Sequence, residues 1–256
     1  MKDKEKVIIK ETGLDDWLPA YWFQCTFPIV ELKDNSKKEI VGASFLLLYR
    51  KIPYIVTAKH VINFENPIVR FTLRDKRTFD IESNYFRQLG LEWIPHQKTD
   101  LAAIPINLPL KLVKKISKFP LKEEVWSDTI KLKNGDEIRH LGYPEQATTH
   151  YPDGKPSNYP QGMNGKIISV NTNEIVVRSP AQYGASGGPL FVRSTTGPHL
   201  IGVIVKTTVK TKPTNALEGE YQGVTTAIPI RYVRDILVSD RMKQQYSKKK
   251  NPEDMF

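Results

Sequence analysis

The segment Gly184-Ala185-Ser186-Gly187-Gly188-Pro189-Leu190-Phe191 sets one serine among three glycines at the start of an apolar run. A nucleophilic hydroxyl must protrude from a tight turn, and nearby backbone N–H groups must converge on one point to hold an oxyanion. Glycines permit the backbone values and the close substrate approach that such a turn needs. The plainer reading of the same string is a glycine-rich hairpin turn. A serine used this way requires a base, and the base requires an orienting acid. Five histidines are available: His60, His96, His140, His150 and His199. His60 closes Ile55-Val56-Thr57-Ala58-Lys59-His60, where the end of an apolar β run would hold an imidazole rigidly at a cleft. Asp100, in Thr99-Asp100-Leu101-Ala102-Ala103-Ile104, stands directly before a second apolar run. A carboxylate there needs a hydrogen-bond partner. The plainer readings are a satisfied histidine and a strand-start aspartate.

The serine string also fits G-x-S-x-G, the elbow of α/β-hydrolases, whose residue order is Ser, acid, His. After Ser186 the only histidine is His199, no Asp or Glu lies between them, and strand–helix alternation is missing. That reading is rejected.

The elements that must position these residues read as short β runs between turn residues. Ile40–Tyr49 and Tyr54–Val61 are rich in Ile, Val, Leu and Tyr, and Arg50-Lys51-Ile52-Pro53 makes a hairpin connection between them. Further strands are expected at Ile68–Leu73, Leu101–Ile106, Ile138–Tyr143, Gly165–Val170, Glu174–Arg178, Pro189–Val192, Leu200–Val209 and Gly223–Ile228. Asn107–Leu132 is Lys-rich, contains Pro109 and Pro120, and reads as an interdomain linker. Pro144–Asn164 carries four prolines and two glycines and reads as a long surface loop. Only Ile230, Val233, Ile236 and Leu237, after Pro229, fall at helical spacing. Many short strands with turn signals imply a sandwich or barrel, closed here by one C-terminal helix. The expected division is an N-terminal extension (1–24), a β unit carrying His60 and Asp100 (25–115), a linker (116–132), a β unit carrying Ser186 (133–228), a helix (229–246) and a tail (247–256).

Composition sets the outer bounds. With 256 residues, the chain can bury a core without disulfide or metal staples. Cys25 is the single cysteine, so no internal disulfide is available. No apolar stretch is long enough for a membrane helix, which argues against membrane insertion. The opening Met1-Lys2-Asp3-Lys4-Glu5-Lys6 lacks the apolar region of a secretory leader. Together these features predict a cytoplasmic protein. The net charge of +10 favours anionic partners without specifying one. Its densest block, Arg241 to Lys250, reads as a solvated tail. No Cys/His cluster has metal-ligand spacing, so neither metal nor cofactor is expected.

Thr57-Ala58-Lys59-His60, Thr99-Asp100-Leu101-Ala102 and Gly184-Ala185-Ser186-Gly187-Gly188-Pro189 stand in the order His, Asp, Ser. This arrangement resembles the chymotrypsin-like (trypsin-like) serine peptidases, nearest to the disulfide-free bacterial branch, over roughly Cys25 to Leu237. Leu141-Gly142-Tyr143-Pro144 and Ala227-Ile228-Pro229 resemble segments common in that branch. The resemblance implies an all-β fold: two six-stranded antiparallel barrels, the site between them, and a C-terminal helix on the second barrel. It implies a catalytic triad of Ser186, His60 and Asp100, with the N–H groups of Gly184 and Ser186 as oxyanion hole and no cofactor. Ala185 replaces the aspartate that pairs with a new N-terminus in zymogen-type relatives, so activation by N-terminal cleavage is not expected. Val61 follows His60 where secreted relatives often carry cysteine. Val205 stands where the family places a serine on the catalytic aspartate, which leaves the support of Asp100 open.

The resemblance places the pocket floor near Ser179 and Pro180, with walls at Val205–Lys206–Thr207 and Gly223–Thr225. Without a carboxylate at the floor, a small or medium uncharged P1 residue is expected. Lys206 reads as a solvated strand lysine, or as a contact for acidic substrate residues. The expected partner is a protein or peptide substrate, with a regulatory protein as a further possibility. Two other classes remain: a catalytically silent fold used as a protein-binding module, and a basic nucleic-acid-binding protein. No basic–aromatic motif supports the second.

Overall fold

The computed structural model describes residues 17–32, 38–64, 66–72, 78–106, 120–143, 160–180, 183–209 and 222–247. The N-terminal half holds β1 (Thr26–Leu32), β2 (Lys38–Tyr49), β3 (Ile52–Ala58), β4 (Ile68–Thr72), β5 (Thr78–Glu82), β6 (Ile94–Pro95) and β7 (Leu101–Pro105). These form one antiparallel sheet in the order β5-β4-β1-β2-β3-β7-β6. The C-terminal half holds β8 (Glu137–Gly142), β9 (Gln161–Val170), β10 (Ile175–Pro180), β11 (Pro189–Ser194), β12 (Gly197–Val209) and β13 (Gln222–Pro229). They close into a barrel, β10-β13-β12-β11-β8-β9. The helices are α1 (Ala20–Phe23), α2 (Ser83–Gln88), α3 (Arg231–Val238) and α4 (Asp240–Ser247). The all-β architecture with a barrel, a second sheet and a helical C-terminus matches the expectation. The N-terminal sheet has seven strands rather than six, the shortest being the two-residue β6.

The β2–β3 hairpin turns on Arg50 and Lys51 alone, whose φ values are 49° and 67°. Two residues of this handedness match the right-handed twist of the flanking strands. Ile52 and Pro53, expected in the turn, instead pair with Tyr49 and Leu48 in the ladder.

Within the C-terminal barrel, Ile138, Met163, Ile175, Val177, Leu190 and Ala227 pack together. A larger cluster joins the two halves. Phe45, Leu47, Val56 and Leu101 from the first sheet meet Leu141, Phe191 and Val203 from the barrel. Phe45 and Phe191 are fully buried, and each such burial is worth about 1.5–3 kcal/mol. This shared core fixes one half against the other, which matters because the candidate site draws residues from both.

The C-terminal helix was expected on the second barrel. Its apolar face, Val233, Ile236, Leu237 and Met242, packs into the shared cluster, and the helix meets β13 of that barrel and also β7 of the N-terminal sheet. Gln245 then exchanges two hydrogen bonds with the backbone of Glu92, at 3.1 and 3.3 Å. It is also two helices: Ser239 leaves helical geometry at ψ 151°, and its Oγ accepts the N–H of Met242 at 3.3 Å. The expected loop Pro144–Asn164 is shorter at its end, because Gln161–Asn164 pair with β8. Residues 144–159, the first half of the expected linker (107–119) and the tail after Ser247 lie outside the described residues.

Candidate active site

His60 lies not at the end of β3 but in a 3-10 turn, Lys59–Ile62, directly after it. The Asp100 carboxylate faces that turn. Its Oδ1 accepts the N–H of His60 at 2.9 Å, and its Oδ2 lies 2.6 Å from His60 Nδ1. The Asp100 carbonyl accepts the N–H of Lys59 at 3.1 Å. Both side chains remain open to solvent, His60 at 45% and Asp100 at 38%. The carboxylate–Nδ1 contact selects the tautomer with its proton on Nδ1, leaving the Nε2 lone pair outward as a base.

Ser186 sits on a turn tied down from several sides. Its carbonyl accepts the N–H of Ala43 in β2 at 2.7 Å. Gly187 donates to Ile204 at 2.7 Å, Gly188 donates to Ala185 at 3.0 Å, and Tyr143 donates to Gly184 at 3.1 Å. Gly184 and Gly187 hold φ of +89° and +88°, a backbone region that side chains avoid. A Cβ on Gly187 would also run into the Ala43 carbonyl and Thr57 Oγ1. The glycines of the motif therefore answer a close approach of the two halves. The same approach brings Ser186 next to the histidine turn. A Cβ on Gly42 would lie 2.6 Å from Val61 Cγ1 and 2.9 Å from the Ser186 carbonyl. Val61 is the residue after His60. Among the described residues, Ser186 Oγ makes no hydrogen bond, and the N–H groups of Gly184 and Ser186 donate to none.

The family model of the trypsin-like peptidase domain matches residues 42–203, more than half of the chain. The chain belongs to the trypsin-like peptidase family. The matched span includes His60, Asp100 and Ser186, and it supports a serine-protease-type hydrolase. No curated protein matches the chain.

The residues expected to line the specificity pocket of this peptidase domain fall into two groups. Ser179 and Thr225 are buried inside the barrel, with Ser179 Oγ donating to Thr225 Oγ1 at 3.2 Å. Gly223 pairs with Ser179 and with Val209, and Thr207 pairs with Thr225. Thr207 Oγ1 is buried without a partner among the described residues. Pro180 pairs through its backbone with Gln222. The other group lies outside the barrel: Lys206 is exposed, and Val205 packs against the cluster of Ile29, Ala58 and Val61. Val205 thus supports the histidine turn by apolar contact. The hydrogen bond to Asp100 comes from the His60 N–H instead. A cleft of about 410 Å³ borders Asp100, lined by Lys98, Thr99, Asn173, Glu174, Ile228 and Tyr232.

Two histidines left without a role in the sequence also belong here. His140, on β8, is fully buried, and its Nε2 lies 3.0 Å from Ser179 Oγ. Burial lowers its pKa from 6.5 to about 4, so it is neutral at pH 7. Because Ser179 donates its one hydrogen to Thr225, His140 must donate its Nε2–H to Ser179. Its Nδ1 is then an acceptor without a partner among the described residues. His96 heads the loop that carries Asp100. Its Nδ1 receives the N–H groups two and three residues on, a pattern visible in sequence only as a side-chain acceptor before a short polar loop. Among the described residues, no helix is long and apolar enough to cross a membrane.

Proposed function

We propose that this peptidase domain is an active serine endopeptidase working through Ser186, His60 and Asp100. The observation that carries the reading is the His60–Asp100 couple at 2.6 Å, set beside the tied-down turn of Ser186. In this reading His60 Nε2 takes the Ser186 proton as Oγ attacks the scissile carbonyl. The oxyanion is received by the N–H groups of Gly184 and Ser186. Collapse breaks the C–N bond, and His60 passes its proton to the leaving amine. Water then attacks the acyl ester, giving its proton to His60 and releasing the acid and free Ser186. Asp100 holds the Nδ1–H tautomer and stabilises the imidazolium.

Activity without N-terminal cleavage is part of the proposal. Ala185 is fully buried among Ile138, Met163 and Leu190. A Cβ on Gly142 would come within 2.7 Å of its Cα. An apolar seat of this kind has no use for a new ammonium group. The primary pocket is proposed to take an uncharged P1 side chain, since Ser179, Thr207 and Thr225, expected to line it, and the neutral His140 bonded to Ser179 bring no carboxylate among the described residues.

The test is hydrolysis of an unstructured protein by the full chain and by Ser186→Ala. Internal cleavage by the first alone supports the proposal. Equal fragments from both, or none from either, contradict it and favour a binding module. We further propose a cytoplasmic location and a regulatory protein partner.

A further inference from the structure

The hairpin between β6 and β7 is a tight loop, closed by His96 N–H to Leu101 carbonyl at 2.8 Å. The imidazole of His96 fills it. Nδ1 is the focus of three donors: Lys98 N–H at 3.2 Å, Thr99 N–H at 3.0 Å and Thr99 Oγ1 at 2.8 Å. Asp100, next along, projects its carboxylate onto His60. The ring is held from the other side by α3. Tyr232 meets it edge-on at 5.3 Å, and Asp235 Oδ2 lies 3.8 Å from Nε2.

We propose that His96 is a positioning residue for Asp100: its unprotonated Nδ1 gathers the Lys98 and Thr99 donors and so fixes the loop that aims the carboxylate at His60. The physical reasoning is one of donors and acceptors. A ring nitrogen receiving two backbone N–H groups must carry a lone pair, so the proton sits on Nε2, toward Asp235. Proton uptake at Nδ1 would turn the acceptor into a donor facing two backbone N–H groups, and both of those loop contacts would be lost, while the Thr99 hydroxyl could turn to accept. The charged groups around the ring are Lys98 on its own loop and Asp235 on α3. Burial is the largest influence and lowers the pKa, Asp235 opposes it, and Lys98 adds to the lowering. The ring therefore stays an acceptor at neutral pH. The inference rests on the peptidase reading only for the catalytic meaning of Asp100; the loop geometry stands without it.

Two readouts test it on the full chain. The first is the downfield proton resonance of His60 Nδ1–H in its short hydrogen bond to Asp100, followed from neutral to acid pH. The second is the rate of labelling by a fluorophosphonate at neutral pH. In the wild type the resonance broadens away once His96 is protonated. His96→Ala loses the resonance at all pH values, and its labelling slows by about 10²-fold, the scale of a 1 Å misplacement. His96→Asn restores both at neutral pH, because a short amide oxygen can take the N–H groups two and three residues on. Its resonance also persists to lower pH than in the wild type. An intact resonance and rate in His96→Ala overturn the proposal, as does a wild-type resonance that outlasts the acid titration. Failure of His96→Asn alongside His96→Ala overturns it too. Should His96→Ala not fold, His96→Asn and the wild-type titration decide. Should the wild type not label at all, the peptidase reading fails while the resonance still judges His96.

Discussion

Asp100 grips one residue with both oxygens: Oδ1 takes the His60 N–H at 2.9 Å, and Oδ2 faces His60 Nδ1 at 2.6 Å. The first contact sets the turn and the second sets the tautomer. Val205, packed against Val61, offers the carboxylate no hydroxyl, and the backbone N–H of the base itself donates to it.

Asp100→Asn separates the two contacts. The amide oxygen can still accept the His60 N–H, while the amide nitrogen opposes Nδ1 and favours the wrong tautomer. The expected outcome is an unchanged melting temperature with kcat lowered by about 10⁴-fold, the cost of the same exchange in other triads. Activity within tenfold of wild type would show that the carboxylate does not fix the tautomer.

Gly187→Ala is expected to destabilise the protein by at least about 2 kcal/mol. Positive φ alone costs a side chain on the order of 1–3 kcal/mol, and the new Cβ would overlap the Ala43 carbonyl and Thr57 Oγ1. Urea unfolding measures it. A midpoint within error of wild type would mean that the two halves do not approach at this turn as described.

Stability is expected to fall on mild acidification through His140. Its pKa is about 4 in the folded protein and 6.5 when unfolded, so the unfolded chain takes up the proton first. The contribution is complete above pH 6.5 and is lost as pH falls toward 4, at most about 3 kcal/mol. His140→Leu removes this slope. Unfolding of the two proteins at pH 7.5 and 4.5 checks it, and an identical pH response in both would refute the assignment.

A peptide-library profile is expected to favour uncharged P1 residues, because Ser179, Thr225, Thr207 and neutral His140 provide hydrogen-bonding groups and no charge. Dominance of Arg or Lys at P1 would contradict this pocket assignment.

The sequence made the β character and the Ser186 turn legible, because glycines and β-branched runs report local backbone needs. His60 was less legible. Ile55–Ala58 reads as a strand that simply continues, but the tertiary bonds from Asp100 to the N–H groups of Lys59 and His60 wind the next residues into a 3-10 turn. Strand β1 is hidden in the sequence by Pro28, which has no N–H to donate; none is needed there, because pairing with β4 is limited to Ile29 and Val30. The break at Ser239 has a sequence cue, a serine followed by an aspartate, masked by helical spacing on both sides. The helix packing against β7, and the roles of His96 and His140, depend on partners distant in sequence, which single-residue patterns do not carry.

The most direct measurement is intact mass after incubation with a fluorophosphonate, for the full chain and Ser186→Ala side by side. The account predicts one adduct on the wild type and none on the variant. An unmodified, folded wild type, or an equal adduct on both, would contradict an activated nucleophile at Ser186.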